Sequence, residues 1–137
     1  MSNSPSVKQV MLTPGKFPLL SLNTVMFDAL QSMSHYRLGI ICVVDTKQRL
    51  KGVFTDGDLR RLLLREQKPL PFLMTDNLSR HMSLKAKTVS PETSIADAIK
   101  KMEQFQVWDL PVAEADDIVC GLLHLHPVVN YLLEDSP

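Results

Sequence analysis

A chain of 137 residues with fifteen Lys and Arg, fifteen Asp and Glu and no formal net charge has room for one ordinary domain, or for two half-size units sharing a core. Balanced charge leaves no footprint for nucleic acid or an anionic membrane surface. No apolar run approaches the roughly 18 residues of a spanning helix, and the opening MSNSPSVKQV has no signal-peptide core, so the cytoplasm is the expected compartment. In chain order, residues 1–17 read as an N-terminal linker. FPLLSLN then leads to a helix in NTVMFDALQSM, where Val25, Ala29, Leu30 and Met33 form an apolar stripe at helical spacing. Two β-rich runs follow, LGIICVVD and LKGVFT, split by the polar turn TKQR, and DLRRLLLRE returns to helix.

Residues 66–79 read as a second linker. The stretch EQKPLPFLMTDNLSR around it carries two prolines and is expected to pack through Leu70, Phe72 and Leu73. Next come AKTVSPE, a helix in ETSIADAIKKM with Ile95, Ala98, Ile99 and Met102 on one face, the β-rich runs WDLPVAE and DIVCGLLH, and a last helix in PVVNYLLED. Cys42 in GIICVV and Cys120 in IVCGLL read as small core residues rather than a disulfide or metal pair.

The second series of elements copies the first. An ungapped shift of 69 positions sets Ser21 on Ser90, Thr24 on Thr93, Asp28 on Asp97, Ala29 on Ala98, Met33 on Met102, Val43 on Val112, Gly52 on Gly121 and Leu63 on Leu132. Such self-similarity decides the architecture before any single element does. The fold class is α+β: two β-α-β-β-α repeats with pseudo-two-fold symmetry, the first over 18–65 and the second over 80–137. Two three-stranded sheets are expected, each too small to bury both faces alone.

Repeat length, element order and GVFTDGDL at Gly52–Leu59 together resemble the tandem CBS domain pair. More narrowly, GVFTDGDLRR with GLLHLH in the second copy resembles the C-terminal regulatory region of D-arabinose 5-phosphate isomerases, in which a CBS pair follows a sugar-isomerase domain. CBS regions of sugar nucleotidyltransferases carry a similar TDGDLRR element. No phosphate-binding Gly/Ser loop and no long parallel α/β pattern of an isomerase half is present, so no catalytic residue is expected.

TDGD itself has two readings. Thr55 with Asp58 three residues on is close to a capping box, and Asp56 and Asp58 suit the positive end of a helix. At the 69-residue offset, however, the counterpart is HLHP: His124, Leu125, His126 and Pro127. Proline is tolerated in a first helical turn, so the fold starts this helix without Thr or Asp, and the first copy's acids become candidates for function. Free N–H groups and a threonine hydroxyl there suit phosphate oxygens, and a carboxylate suits a vicinal diol.

The resemblance implies that Thr55 serves phosphate or ribose and Asp58 the ribose diol, with Asp56 beside them. Val53 and the strand residues Leu38, Gly39, Ile40 and Ile41 would line a base pocket. Arg60 and Arg61 either reach anionic groups or form a solvated helix face. His124 and His126 alternate at a strand end, which predicts that they share one face. No third ligand for a metal lies near them, so they cap the helix or line the cleft, or His124 contacts a bound sugar acid or phosphate. Pro127 departs from the family pattern, which has an aspartate there.

No cofactor or metal is expected. The implied effector is AMP, ATP or CMP-Kdo, held between repeats in a homodimer that regulates a sugar-isomerase domain, with neither nucleic acid nor membrane as partner. The alternatives are a ligand-free dimerisation or interaction module, or the accessory region of a sugar nucleotidyltransferase.

Overall fold

The computed structural model describes residues 5–134. Its elements are α1 (Val7–Val10), β1 (Leu19–Ser21), α2 (Met26–Tyr36), β2 (Ile40–Val44), β3 (Leu50–Thr55), α3 (Asp56–Arg65), α4 (Leu70–Thr75), α5 (Ile95–Phe105), β4 (Asp109–Ala113), β5 (Val119–His124) and α6 (Leu125–Glu134), with 3-10 turns at Leu78–Arg80 and Ala115–Asp117. The series α2, β2, β3, α3 recurs as α5, β4, β5, α6 with both ends of every element displaced by 69 positions. Equal spacing of apolar residues makes the equal helices: α2 buries Met26, Ala29 and Met33, and α5 buries Ile95, Ala98 and Met102. Each helix stops at a residue in the left-handed region, Arg37 and Gln106, both at φ 55°.

In the first copy β1 runs parallel to β2, and β2 antiparallel to β3. Strand pleating sends Ile41, Val43 and Phe54 into a core with Met26, Ala29, Met33 and Leu62, while Ile40, Cys42 and Val53 are buried on the other face. In the second copy β4 and β5 pair antiparallel, and Leu110, Val112 and Leu123 meet Ile95, Ala98 and Met102. Both hairpins carry an irregularity at the same place, between Val43 and Val44 and between Val112 and Ala113.

The expected third strand of the second sheet is reduced to a single parallel bridge, Val89 to Val112. Val89 N–H donates to the Pro111 carbonyl, and Val89 C=O accepts from Ala113. The next donor along that ladder would be residue 91, a proline, which has none to give.

The chain divides into two compact units that do not follow its order. One holds Gly15–Ala86; the other joins the chain up to Pro14 with the chain from Lys87 onward. The leading segment, read from sequence as linker, is built into the second unit. Val7 is fully buried, Ile95 N–H at the start of α5 donates to Pro5 C=O, Val7 N–H donates to Thr93 C=O, and Leu12 exchanges two hydrogen bonds with Leu122.

The segment before the second copy does the same for the first unit. Met26 N–H at the start of α2 donates to Asp76 C=O, Leu78 N–H donates to Thr24 C=O, and Ser83 exchanges two hydrogen bonds with Val53. Of the three residues expected to pack this connector, only Leu73 is buried; Leu70 and Phe72 are exposed. α4 is six residues long and its contact with α2 is met from one side, so helical rotation carries Phe72 off that side. Cys42 is buried and Cys120 is partly so. Among the described residues no helix is long and apolar enough to cross a membrane.

Candidate functional site

β3 passes directly into α3, with Thr55 as the N-cap at φ −119° and ψ 168°. Extended backbone at Thr55 turns its hydroxyl onto the first helical turn, where Thr55 Oγ1 accepts from Asp58 N–H at 3.2 Å. Asp58 closes the box: its Oδ2 accepts from Thr55 N–H at 2.9 Å and from the Thr55 hydroxyl at 3.1 Å. The other oxygen, Oδ1, accepts from Arg61 Nη2 at 2.7 Å. The predicted capping box is therefore formed, and it also holds an arginine.

Asp56 is exposed. Its N–H donates to Gly39 C=O at 3.0 Å, and its carboxylate lies across Gly39 so closely that any Cβ there would collide with it. Only that carboxylate, the end of an exposed side chain, would have to shift to admit a side chain at 39.

Register sorts the strand candidates. Ile40 lies opposite Thr55 and Cys42 opposite Val53, so Ile40, Val53 and Thr55 share one face. Ile41 belongs to the other face, among the core residues Val43 and Phe54; pleating removes it from the candidate set. Leu38 is buried just before the strand. Of the two arginines, Arg61 faces Asp58 one turn away. Arg60, two residues from Asp58, is exposed and off that side of the helix.

The second copy keeps the backbone and changes the chemistry. Leu125 N–H donates to Trp108 C=O as Asp56 does to Gly39, but the side chains at the five corresponding places are Trp108, Asp109, His124, Leu125 and Pro127. Asp109 and His124 are opposed in register, and His124 Nδ1 lies 2.6 Å from Asp109 Oδ1. His126 does not share a face with His124. The strand ends at His124 and α6 begins at Leu125, so the two histidines are separated by helical rotation, and His126 is exposed.

Among the described residues no three metal-binding side chains cluster. Beside this hairpin end, Ile99, Met102, Glu103, Gln106, Val107, Trp108 and Leu125 line an apolar groove of about 360 Å³. Trp108 is 69% exposed. The sequence does not mark this pairing, because the irregularity between Val112 and Ala113 shifts the register that brings Asp109 opposite His124.

Models of known families match residues 7–65 and 74–134 as CBS domains. The chain belongs to the CBS domain family. This CBS pair is similar in sequence to the arabinose 5-phosphate isomerase KdsD of Pseudomonas aeruginosa, 35% identical over 90% of the chain and 37% of the relative, and to KdsD of Yersinia pestis, 30% identical over 90% of the chain and 36% of the relative. It thus spans little more than a third of the length of these curated relatives.

Among solved structures it is similar to CBSX2 in complex with AMP, with TM-score 0.82, 25% identity and coverage of 94% of this chain and 96% of that one. It shares its fold with the CBS pair of MJ0100 in complex with 5'-methylthioadenosine and S-adenosyl-L-methionine, with TM-score 0.82, 16% identity and coverage of 97% and 99%.

Proposed function

We propose that this CBS pair is a non-catalytic regulatory module that binds an adenine nucleotide or a nucleotide-sugar through Thr55 and Asp58, with Ile40 and Val53 on the same strand face. The carrying observation is the difference between the copies. Where the second helix starts with Leu, His and Pro, the first presents Asp56 and a partly buried Asp58 aligned by Thr55, an arrangement suited to a ligand that donates hydrogen bonds. The AMP complex of CBSX2 supports a nucleotide as the ligand class.

Similarity to KdsD supports a parent protein of the arabinose 5-phosphate isomerase type. In such a cytoplasmic, homodimeric parent the effector would be AMP, ATP or the end product CMP-Kdo of a lipopolysaccharide pathway. Coupling between an effector site and an isomerase domain is limited by the effector's differential affinity for two states, commonly about 1–3 kcal/mol, so graded feedback is expected.

Thermal shift and calorimetry with AMP, ATP, CMP and CMP-Kdo test this reading. A true ligand at a hundredfold excess over Kd stabilises the fold by about 2.7 kcal/mol, and Asp58→Ala abolishes the effect. Absence of a shift with all four sinks the sensor reading. It would favour instead an interaction module, the reading supported by the exposed leucines Leu63 and Leu64 on α3 and Leu132 and Leu133 at the equivalent places on α6.

A further inference from the structure

Asp58, the acid assigned above to the ligand's diol, is already heavily used. A carboxylate offers about four acceptor sites. Two are taken by the Thr55 N–H and hydroxyl, and a third by Arg61. A vicinal diol donates two hydrogen bonds, so one fits and the second requires Arg61 to leave. Of the pair, Arg61 is the partner free to move: its side chain is 61% exposed against 17% for Asp58, and exposed ion pairs of this kind are weak.

Arg61 also lies over the first turn. Its guanidinium nitrogens come within 3.2 and 3.3 Å of where a Cβ at residue 57 would stand, so the absence of a side chain at Gly57 leaves the arm its place. The surroundings are acidic: Asp56 and Asp58 both stand at this helix entrance, and among the described residues Arg61 is the only cation in a salt bridge with either. An anionic ligand entering without that cation meets two like charges.

We infer that Arg61 is the specificity-determining residue of this site. It neutralises Asp58 when no ligand is present, and exchanges to the ligand's phosphate when the diol takes its place. A nucleoside breaks the Arg61–Asp58 pair and leaves the guanidinium without an anion, whereas a nucleotide supplies a replacement. The site therefore selects phosphorylated over unphosphorylated ligands by ion exchange. This inference rests on the nucleotide-binding reading above.

Calorimetry with two matched pairs, AMP against adenosine and CMP against cytidine, tests it on the wild type, Arg61→Gln and Arg61→Lys, each variant checked for an unchanged melting curve. The wild type is expected to prefer the monophosphate of at least one pair by about tenfold or more, the factor one modest charge-assisted hydrogen bond supplies. Arg61→Gln should bring the two affinities within about threefold, with the nucleoside bound as well as or better than by wild type. Arg61→Lys, which keeps the charge, should retain most of the preference. A preference unchanged in Arg61→Gln overturns the exchange and leaves the nucleotide reading standing. No binding of any of the four compounds to the wild type overturns the exchange, and the nucleotide reading falls with it only where ATP and CMP-Kdo also fail to bind.

Discussion

Among the described residues four aspartates are matched to a cation or an imidazole: Asp45 to Arg49 and Lys51, Asp58 to Arg61, Asp109 to His124, and Asp76 to His81 and Lys68. The last ties the connector to itself, His81 Nε2 lying 3.0 Å and Lys68 Nζ 3.4 Å from the same oxygen. The His81 hydrogen bond, with the positive charges of Lys68 and Arg80, outweighs desolvation and holds the Asp76 carboxyl below its ordinary value of 3.8. A carboxyl depressed by folding adds stability that is present above its unfolded pKa and is lost as pH falls through the folded one. Stability of the Gly15–Ala86 unit should therefore drop as pH is lowered from about 5 through the ordinary carboxylate range. In Asp76→Asn the same acid titration, followed by urea denaturation, should be shallower. An equal slope in both proteins would show that Asp76 contributes nothing to it.

At the scale of elements, the two hairpins share a constraint that the repeat makes visible. A Cβ on Gly52 of β3 would lie 2.7 Å from both Met82 Sδ and Ser83 O, and one on Gly121 of β5 would lie 2.5 Å from Met11 Sδ and 2.8 Å from Leu12 O. A methionine side chain can yield, but the carbonyl belongs to the bridge that closes each sheet edge. Gly52→Ala and Gly121→Ala should each cost about 1–3 kcal/mol, the range for overpacking, measured by chemical denaturation. Values near zero in both would mean that the covering segments move aside freely.

Helices and hairpins of both copies were legible in the sequence because 3.6- and 2-residue periodicities carry them, and the pair Gly52 and Gly121 lay within the matched register. The passage from β5 to α6 was not legible. HLHP continues the polar and apolar alternation of a strand with no loop residue to mark the turn, and that alternation predicts His126 on the face of His124. The weakened strand at Val89 was hidden for a related reason: nothing in KTVSP announces that its proline falls on a donor position.

For the whole molecule, the unexpected feature is an exchange of leading segments. Residues 5–12 lie ahead of β1 and α2 in the chain and serve the second unit; residues 76–83 lie ahead of α5 and serve the first. Met11 and Met82 play the same part over Gly121 and Gly52, yet they are 71 positions apart and not 69. An ungapped search at one offset loses that equivalence, and a polar start such as SNSPSVKQ reads as linker.

The exchange makes a distant prediction. Removing residues 1–12 takes away Val7, which is fully buried among Val89, Ile95, Leu110 and Val128, together with the two Leu12–Leu122 hydrogen bonds. Burial of one valine is worth about 1.5–3 kcal/mol, so the loss should reach at least about 2 kcal/mol and fall on the unit that begins at Lys87, not on the one that follows the deletion. Amide hydrogen exchange separates the two. The Leu122 amide, which donates to Leu12, should lose protection together with its neighbours in β5, while the Val53 amide, held by Ser83, keeps its own. The opposite pattern, with Val53 exposed and Leu122 protected, would mean that the leading segment stabilises the copy it precedes and that the exchange does not occur in solution.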